Sequence, residues 1–407
     1  MQESGIEWIG AIPQGWKVKI IKRDFDIKLG KMLQPLQKIE SDTEEYYLKT
    51  SNIYWDGVDI GDIKKMWFSP LDKINTELQY NDLLVCEGGD VGRSALWKEE
   101  ITPCYIQNAI NRVRPIHNAS TKYLYYWLFL LKHSGYIDAM VSRITIAHLT
   151  AEKLERLVFL LPPYSEQQAI AQYLDERCGK LDKIIAIKKQ QIKTLDALRQ
   201  SIIYQAVTKG LDTSVPLVDS GVEWLGEIPA HWSLRRIKDI AELKSGDGIK
   251  AEDISPKGDY PVFGGNGLRG YASSFTHNGY YVLIGRQGAL CGNINYANGK
   301  FWATEHAVVV TLFHNSFNTF WLGELLRTMN LNQYSNAAAQ PGLSLDNIKF
   351  LKFPVPPSEE QQAIADHLDQ ENQRLDQLKA NLNQQINVLS DYKKSLIYEC
   401  VTGKKRV

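Results

Sequence analysis

Residues 162–175 read PPYSEQQAIAQYLD, and residues 356–369 read PPSEEQQAIADHLD. The offset is 194 residues, and the likeness runs on through LD, QQI and S-x-IY to VT. Of the 47 positions from Pro162 to Thr208, 22 are identical in the second copy, which marks an internal repeat. From Glu166 to Thr208 no proline occurs and glycine appears only at Gly179; from Glu360 to Thr402 there is neither. One heptad site carries Leu174, Leu181, Lys188, Leu195 and Ile202 in the first copy and Leu368, Leu375, Leu382, Leu389 and Leu396 in the second. The companion site is read at Ile184, Gln191 and Leu198, and at Leu378, Gln385 and Tyr392. Heptads sustained at this length predict two coiled-coil helices, each about 60 Å long at about 1.5 Å per residue. Lys188 stands where the second copy has Leu382, so the seam is not fully symmetric.

A second repeat lies outside these helices. ESGIEWIGAIPQGW (3–16) returns as DSGVEWLGEIPAHW (219–232), offset by 216 residues, and the pairing continues through Ile21/Ile237 and Lys22/Lys238 to Gly30/Gly246. The two offsets differ by 22 residues, so constant frames enclose two inserts of unequal length. The frames predict four segments: a globular domain at 1–160, a helix at 161–210, a second domain at 211–354 and a helix at 355–407. The fold class is α+β, two mixed domains separated by two long antiparallel coiled-coil helices. If the halves are equivalent, the C-terminus ends beside the N-terminus in a circular, pseudo-twofold plan. Trp8 and Trp224 read as packing anchors where domain meets helix.

Both inserts alternate apolar and polar residues between glycine turns, as in NDLLVCEGGDVGRSALW (81–97) and GYYVLIGRQGALCGNINY (279–296), and so read as strand-rich. YLYYWLFLLKHSG (123–135) and NTFWLGELLRTMN (318–330) read as one buried helix in each.

Composition sets the broad class. Hydrophobic residues make up 44% and charged residues 23%, ordinary globular values. No apolar run approaches the roughly 18 residues a membrane span needs, and no signal peptide is read, so a cytoplasmic protein is expected. The five cysteines are scattered without a C-x-x-C pair, which predicts neither a disulfide framework nor a zinc site. The net charge is zero. A domain that binds DNA unaided usually carries a basic excess, so neutrality argues either against DNA binding or for a partner that supplies part of the positive field.

Two motifs invite enzymatic readings and fail, and a third kind of catalysis lacks its motif altogether. GNGLRG (265–270) fits G-x-G-x-x-G but precedes strand and turn rather than a helix, with no carboxylate at the required distance. LPPY (161–164) has Leu161 where amino-group methyltransferases need Asp or Asn to bind the base's amino group. No G-x-S-x-G or G-x-x-x-x-G-K-[ST] is present. The chain is read as non-catalytic.

Two variable inserts, each tied to a long helix opening PPxxEQQAIAxxLD and closing IYxxVT, closely resemble the specificity subunits of type I restriction–modification systems. The resemblance covers essentially the whole chain, and GYYVLIGRQGALCGNI (279–294) is similar to a common class of target-recognition domain. It implies that each domain reads one half of a bipartite site on double-stranded DNA, while the helices set the spacer. They would also dock two modification subunits through Leu174, Leu181, Leu195, Leu368, Leu375, Leu382, Leu389 and Leu396. S-adenosylmethionine would belong to the modification subunits, and ATP and Mg to a restriction subunit that translocates DNA; no cofactor or metal is expected in this chain, and no membrane.

Base readout needs paired hydrogen-bonding side chains, Arg or Lys for guanine and Asn or Gln for adenine. The candidates are Lys49, Ser51, Asn52, Arg93 and Arg143 in the first insert, and Asn266, Arg269, Arg286, Gln287 and Gln340 in the second. The rival reading is a coiled-coil adaptor that binds proteins only.

Overall fold

The computed structural model describes residues 1–141, 148–288, 290–314, 316–335 and 342–407. The chain divides into two compact units, Met1–Lys188 with Gln384–Val407, and Lys189–Asn383. The long helices are Tyr164–Lys209 and Ser358–Val401, close to the spans their heptads predict.

Each unit is built on a four-stranded antiparallel frame. In the first, the spatial order is Phe25–Leu29, Ile110–Pro115, Leu83–Cys86, Ser94–Leu96. In the second it is Ala241–Ser245, Ala307–Leu312, His277–Gly285, Ile294–Ala303. The two orders are the same in chain sequence: first, fourth, second, third. Each frame is closed by a two-stranded ribbon, Lys17–Ile20 with Val158–Leu161 and Ser233–Arg236 with Lys352–Val355. One ribbon partner follows the 216 offset and the other the 194 offset, so the two repeats meet there.

The units differ in what is added. The first gains a separate sheet of Thr43–Leu48, Lys64–Phe68 and Tyr105–Ile106. The second extends its frame with the hairpin Tyr260–Gly264 and Gly267–Ala272. GNGLRG is therefore a hairpin turn and the start of a strand, not a nucleotide loop.

The repeated residues are the ones that tie insert to helix. Trp16 Nε1 donates to Glu166 Oε2 (3.1 Å), and Trp232 Nε1 donates to Glu360 Oε2 (3.0 Å). The next glutamine braces the insert helix. Gln167 accepts from Ser120 N–H and donates to Pro162 O, both 2.9 Å, and Gln361 accepts from Asn318 N–H (3.0 Å) and donates to Pro356 O (2.9 Å). Ser120 and Asn318 cap helices Thr121–His133 and Thr319–Thr328, the two buried helices read from sequence. Trp16 and Trp232 thus carry the side-chain bond to the helix; Trp224 meets its helix through its carbonyl, which accepts from Tyr204 Oη (3.4 Å), and Trp8 packs beside Trp127, ring centres 6.1 Å apart. Gln361→Ala would strand two backbone groups, the buried Pro356 carbonyl and the half-buried Asn318 N–H, a loss of about 2 kcal/mol, which thermal melting should register as a clear drop.

The first unit is completed by the end of the chain. Leu396, Ile397, Cys400 and Val401 join its core, and Tyr123 Oη donates to Val401 O (3.0 Å). A Cβ on Gly403 would fall 2.3 Å from Pro13 Cδ, so the two termini meet as the circular plan requires. The equivalent Ile203 and Val207 sit in the core of the second unit. The last matched glycines have a steric reason: a Cβ on Gly30 would lie 2.5 Å from the Gln107 carbonyl, and on Gly246 2.1 Å from Ala303 O.

Within each unit the two helices run antiparallel. Lys393 pairs with Asp182 (2.7 Å) in the first, and Lys379 with Asp196 (2.6 Å) and Arg199 with Asp376 in the second. Asp182–Lys393 and Asp376–Arg199 are the same pair under the 194 offset. Lys188 donates to Gln385 Oε1 (2.5 Å).

The companion heptad site needs correction. Ile184, Leu198, Leu378 and Tyr392 are 42, 46, 42 and 55% exposed, and Gln191 and Gln385 are exposed too. The second seam lies one residue later, at Cys178, Ile185, Ile192 and Arg199 and at Asn372, Lys379, Ile386 and Lys393, all buried or half-buried. Long cationic side chains line a seam with their methylenes while the charged end reaches an acid.

Candidate nucleic-acid interface

In the first unit the 3₁₀ turn Thr50–Asn52 gathers four of the sequence candidates. Asn52 is 3% exposed: its Oδ1 accepts Lys49 N–H (3.0 Å) and its Nδ2 donates to Asp59 O (2.8 Å). Its amide therefore braces its own turn, the usual use of asparagine in such positions. Lys49 Nζ is held by Asp62 (2.6 Å), and Ser51 is exposed. Arg93 reaches the same turn, donating from Nη2 to Thr50 O (2.9 Å), with its guanidinium 5.4 Å from the Tyr54 ring centre. Arg143 lies outside the described residues.

In the second unit one end of the sheet collects the candidates. The strand His277–Gly285 ends in a loop carrying Arg286 and Gln287, and the hairpin turn at Gly265 rests directly on it. That contact needs glycine at 285, because a Cβ there would fall 2.1 Å from Gly265 O. Asn266 and Arg269, on this hairpin, are exposed, and Asn266 Oδ1 lies 3.5 Å from Asn293 Nδ2. Arg286 is half-buried and donates from Nη1 to Ser245 Oγ (2.9 Å); Gln287 is exposed. Arg286, Gln287, Lys238 and Lys349 line a cleft of about 740 Å³. Gln340 lies outside the described residues. The structure thus brings Asn266, Arg269, Arg286 and Gln287 together at one sheet end, and Lys49, Ser51, Asn52 and Arg93 around one turn.

One group at the corresponding sheet end of the first unit carries no basic signature and so escapes a search for Arg, Lys, Asn and Gln. Glu87 follows Leu83–Cys86 within CEGGDVGRS, beside His148. Burial pushes its carboxyl above the usual carboxylate range, against the opposing pull of His148 and Lys153.

Two sheets of one topology, each ending in a glycine-rich loop that presents different polar side chains, define a paired recognition module on a coiled-coil scaffold. The model of the type I restriction modification DNA specificity domain matches residues 13–197 and 229–388, and the chain belongs to that family. It is 24% identical over 433 residues to the type I restriction enzyme MjaVIII specificity subunit of Methanocaldococcus jannaschii, covering 97% of this chain and 94% of that one. It is 45% identical to the EcoprrI specificity subunit of Escherichia coli over 139 residues, about a third of either chain (33% and 34%). Among solved structures, a chain from work on complex assembly and conformational transition of the type I R-M system superposes with a TM-score of 0.74 at 15% identity, covering 97% of this chain and 100% of that one. The HsdS subunit from Thermoanaerobacter tengcongensis gives 0.54 at 17% identity, with both chains fully covered. At these identities the structures speak for the fold. Among the described residues no helix is long and apolar enough to cross a membrane.

Proposed function

We propose that this chain selects the DNA sequence on which a type I restriction–modification complex acts, each unit reading one half of a split site. The observation that carries this reading is the shared four-stranded frame whose end loops differ in chemistry, Glu87 against Arg286. One scaffold used twice with different readers suits a site written in two unlike halves. The helices fix the gap between the halves, and the chemistry and S-adenosylmethionine come from two modification subunits, with ATP and Mg used by a restriction subunit. Partner subunits that close on the DNA would add phosphate contacts to those of a chain with no basic excess. Expression with the modification subunits should produce methylation at a split sequence, which the chain lacking those partners does not produce.

Leu174, Leu181, Leu368, Leu375 and Leu396 are buried, so the exposed apolar residues of the coil, rather than these leucines, give the partners a place to dock. Ile184 and Leu378 are equivalent under the 194 offset, as are Leu198 and Tyr392, and all four face away from the seam. Apolar groups repeated on an open helix face mark an interaction surface. The double variant Ile184→Glu, Leu378→Glu should keep its melting temperature and lose at least tenfold in affinity for the modification subunits, as measured by analytical ultracentrifugation or titration.

A further inference from the structure

The two units place one side chain at the same backbone address. The residue after the inner strand sends its N–H to the turn beside it, Glu87 to Ala109 O and Arg286 to His306 O, both at 2.9 Å. Its carbonyl accepts from the leucine ahead of a short helix, Leu149 (2.9 Å) or Leu343 (2.8 Å). The residue before it closes the same loop, Gly92 N–H reaching Cys86 O (2.9 Å) and Gly292 N–H reaching Gly285 O (2.7 Å). Both glycines have φ of 82°. Glu87 and Arg286 are one position in two readers.

Their chemistry is opposite: a guanidinium only donates, and a carboxylate only accepts. The Glu87 side chain is 12% exposed, and its Oε2 has no hydrogen-bond partner among the described residues. His148 Nδ1 stands 3.9 Å from Oε1, beyond hydrogen-bond reach, and Glu152 and Lys153 are the other charges it feels. A buried carboxylate short of donors costs stability. The sign follows from the raised carboxyl: folding favours the acid form, so the cost is fully present above the folded-state pKa. It vanishes as pH falls below the ordinary value of 4.5. A group that weakens the free fold is explained by a ligand that supplies the missing donor.

Resting on the DNA-reading function above, we propose that Glu87 is a specificity-determining residue of the first unit. It accepts a hydrogen bond from the exocyclic amino group of a base, cytosine N4 being the best match, at the position where Arg286 donates to guanine in the second unit.

The test compares wild type, Glu87→Gln and Glu87→Ala, each expressed with the modification subunits, by genome-wide mapping of methylated sequences. The expected result is a loss of about tenfold or more in preference for one base, in one half of the site only. The other half and the gap stay as they were, and Glu87→Gln melts no lower than wild type at neutral pH. Methylation lost outright with melting unchanged also supports the proposal. An unchanged sequence in both variants overturns it. So does lost methylation with lowered melting in both, which would make Glu87 a folding residue. A wild-type complex that yields no split site is a different failure, that of the function itself.

Discussion

Arg286→Ala should erase guanine discrimination at one position of one half-site and leave the other half, the gap and subunit assembly unchanged. Arg286 follows the inner strand of the second unit, and Ser245 Oγ at 2.9 Å steers one end of its guanidinium. The remaining nitrogens keep the fork that matches guanine O6 and N7. A bidentate contact of that kind is worth about 1–3 kcal/mol of discrimination, or roughly fivefold to 150-fold between bases. Arg286→Lys should recover little, because an ammonium lacks the fork. Methylated-site mapping gives the answer directly; the same sequence preference in both variants would remove Arg286 from the readout.

A second large effect is expected from shortening the coil. Removing residues 182–188 together with 387–393 deletes one heptad from each helix, opposite each other, as the Asp182–Lys393 pair shows. Seven residues at about 1.5 Å each remove about 10 Å, close to three base pairs at about 3.4 Å. Because a whole heptad goes, the seam keeps its phase. The variant should abandon the parental gap and, if it methylates, accept the same half-sites with a gap about three pairs shorter. Altered half-sites at the parental gap would contradict the ruler role of the helices.

The sequence shows the frames well because their residues bond to one another in fixed geometry. The Trp16–Glu166 contact, the Gln167 brace and the close backbone approach at Gly30 each admit few substitutes, and each recurs in the second copy. The common topology of the inserts is hidden for the opposite reason. A strand interior asks only for inward apolar residues, so LLVC (83–86) and YYVLIG (280–285) occupy the same place without resembling each other. The second seam is hard to read because Ile184, Leu198 and Leu378 look like seam residues while Arg199, Lys379 and Lys393 do not. In the fold the cations lie along the seam against Asp376, Asp196 and Asp182, and the apolar residues face outward. Glu87 is invisible to a search for donors, and its place emerges only when the two units are compared bond by bond.

The most direct test is the map of methylated DNA sites in cells carrying this chain with type I modification subunits, against cells lacking this chain. Two short half-sites separated by a fixed, unread gap, present only with the chain, is the predicted result. A continuous recognition sequence, or methylation that does not depend on the chain, would contradict it.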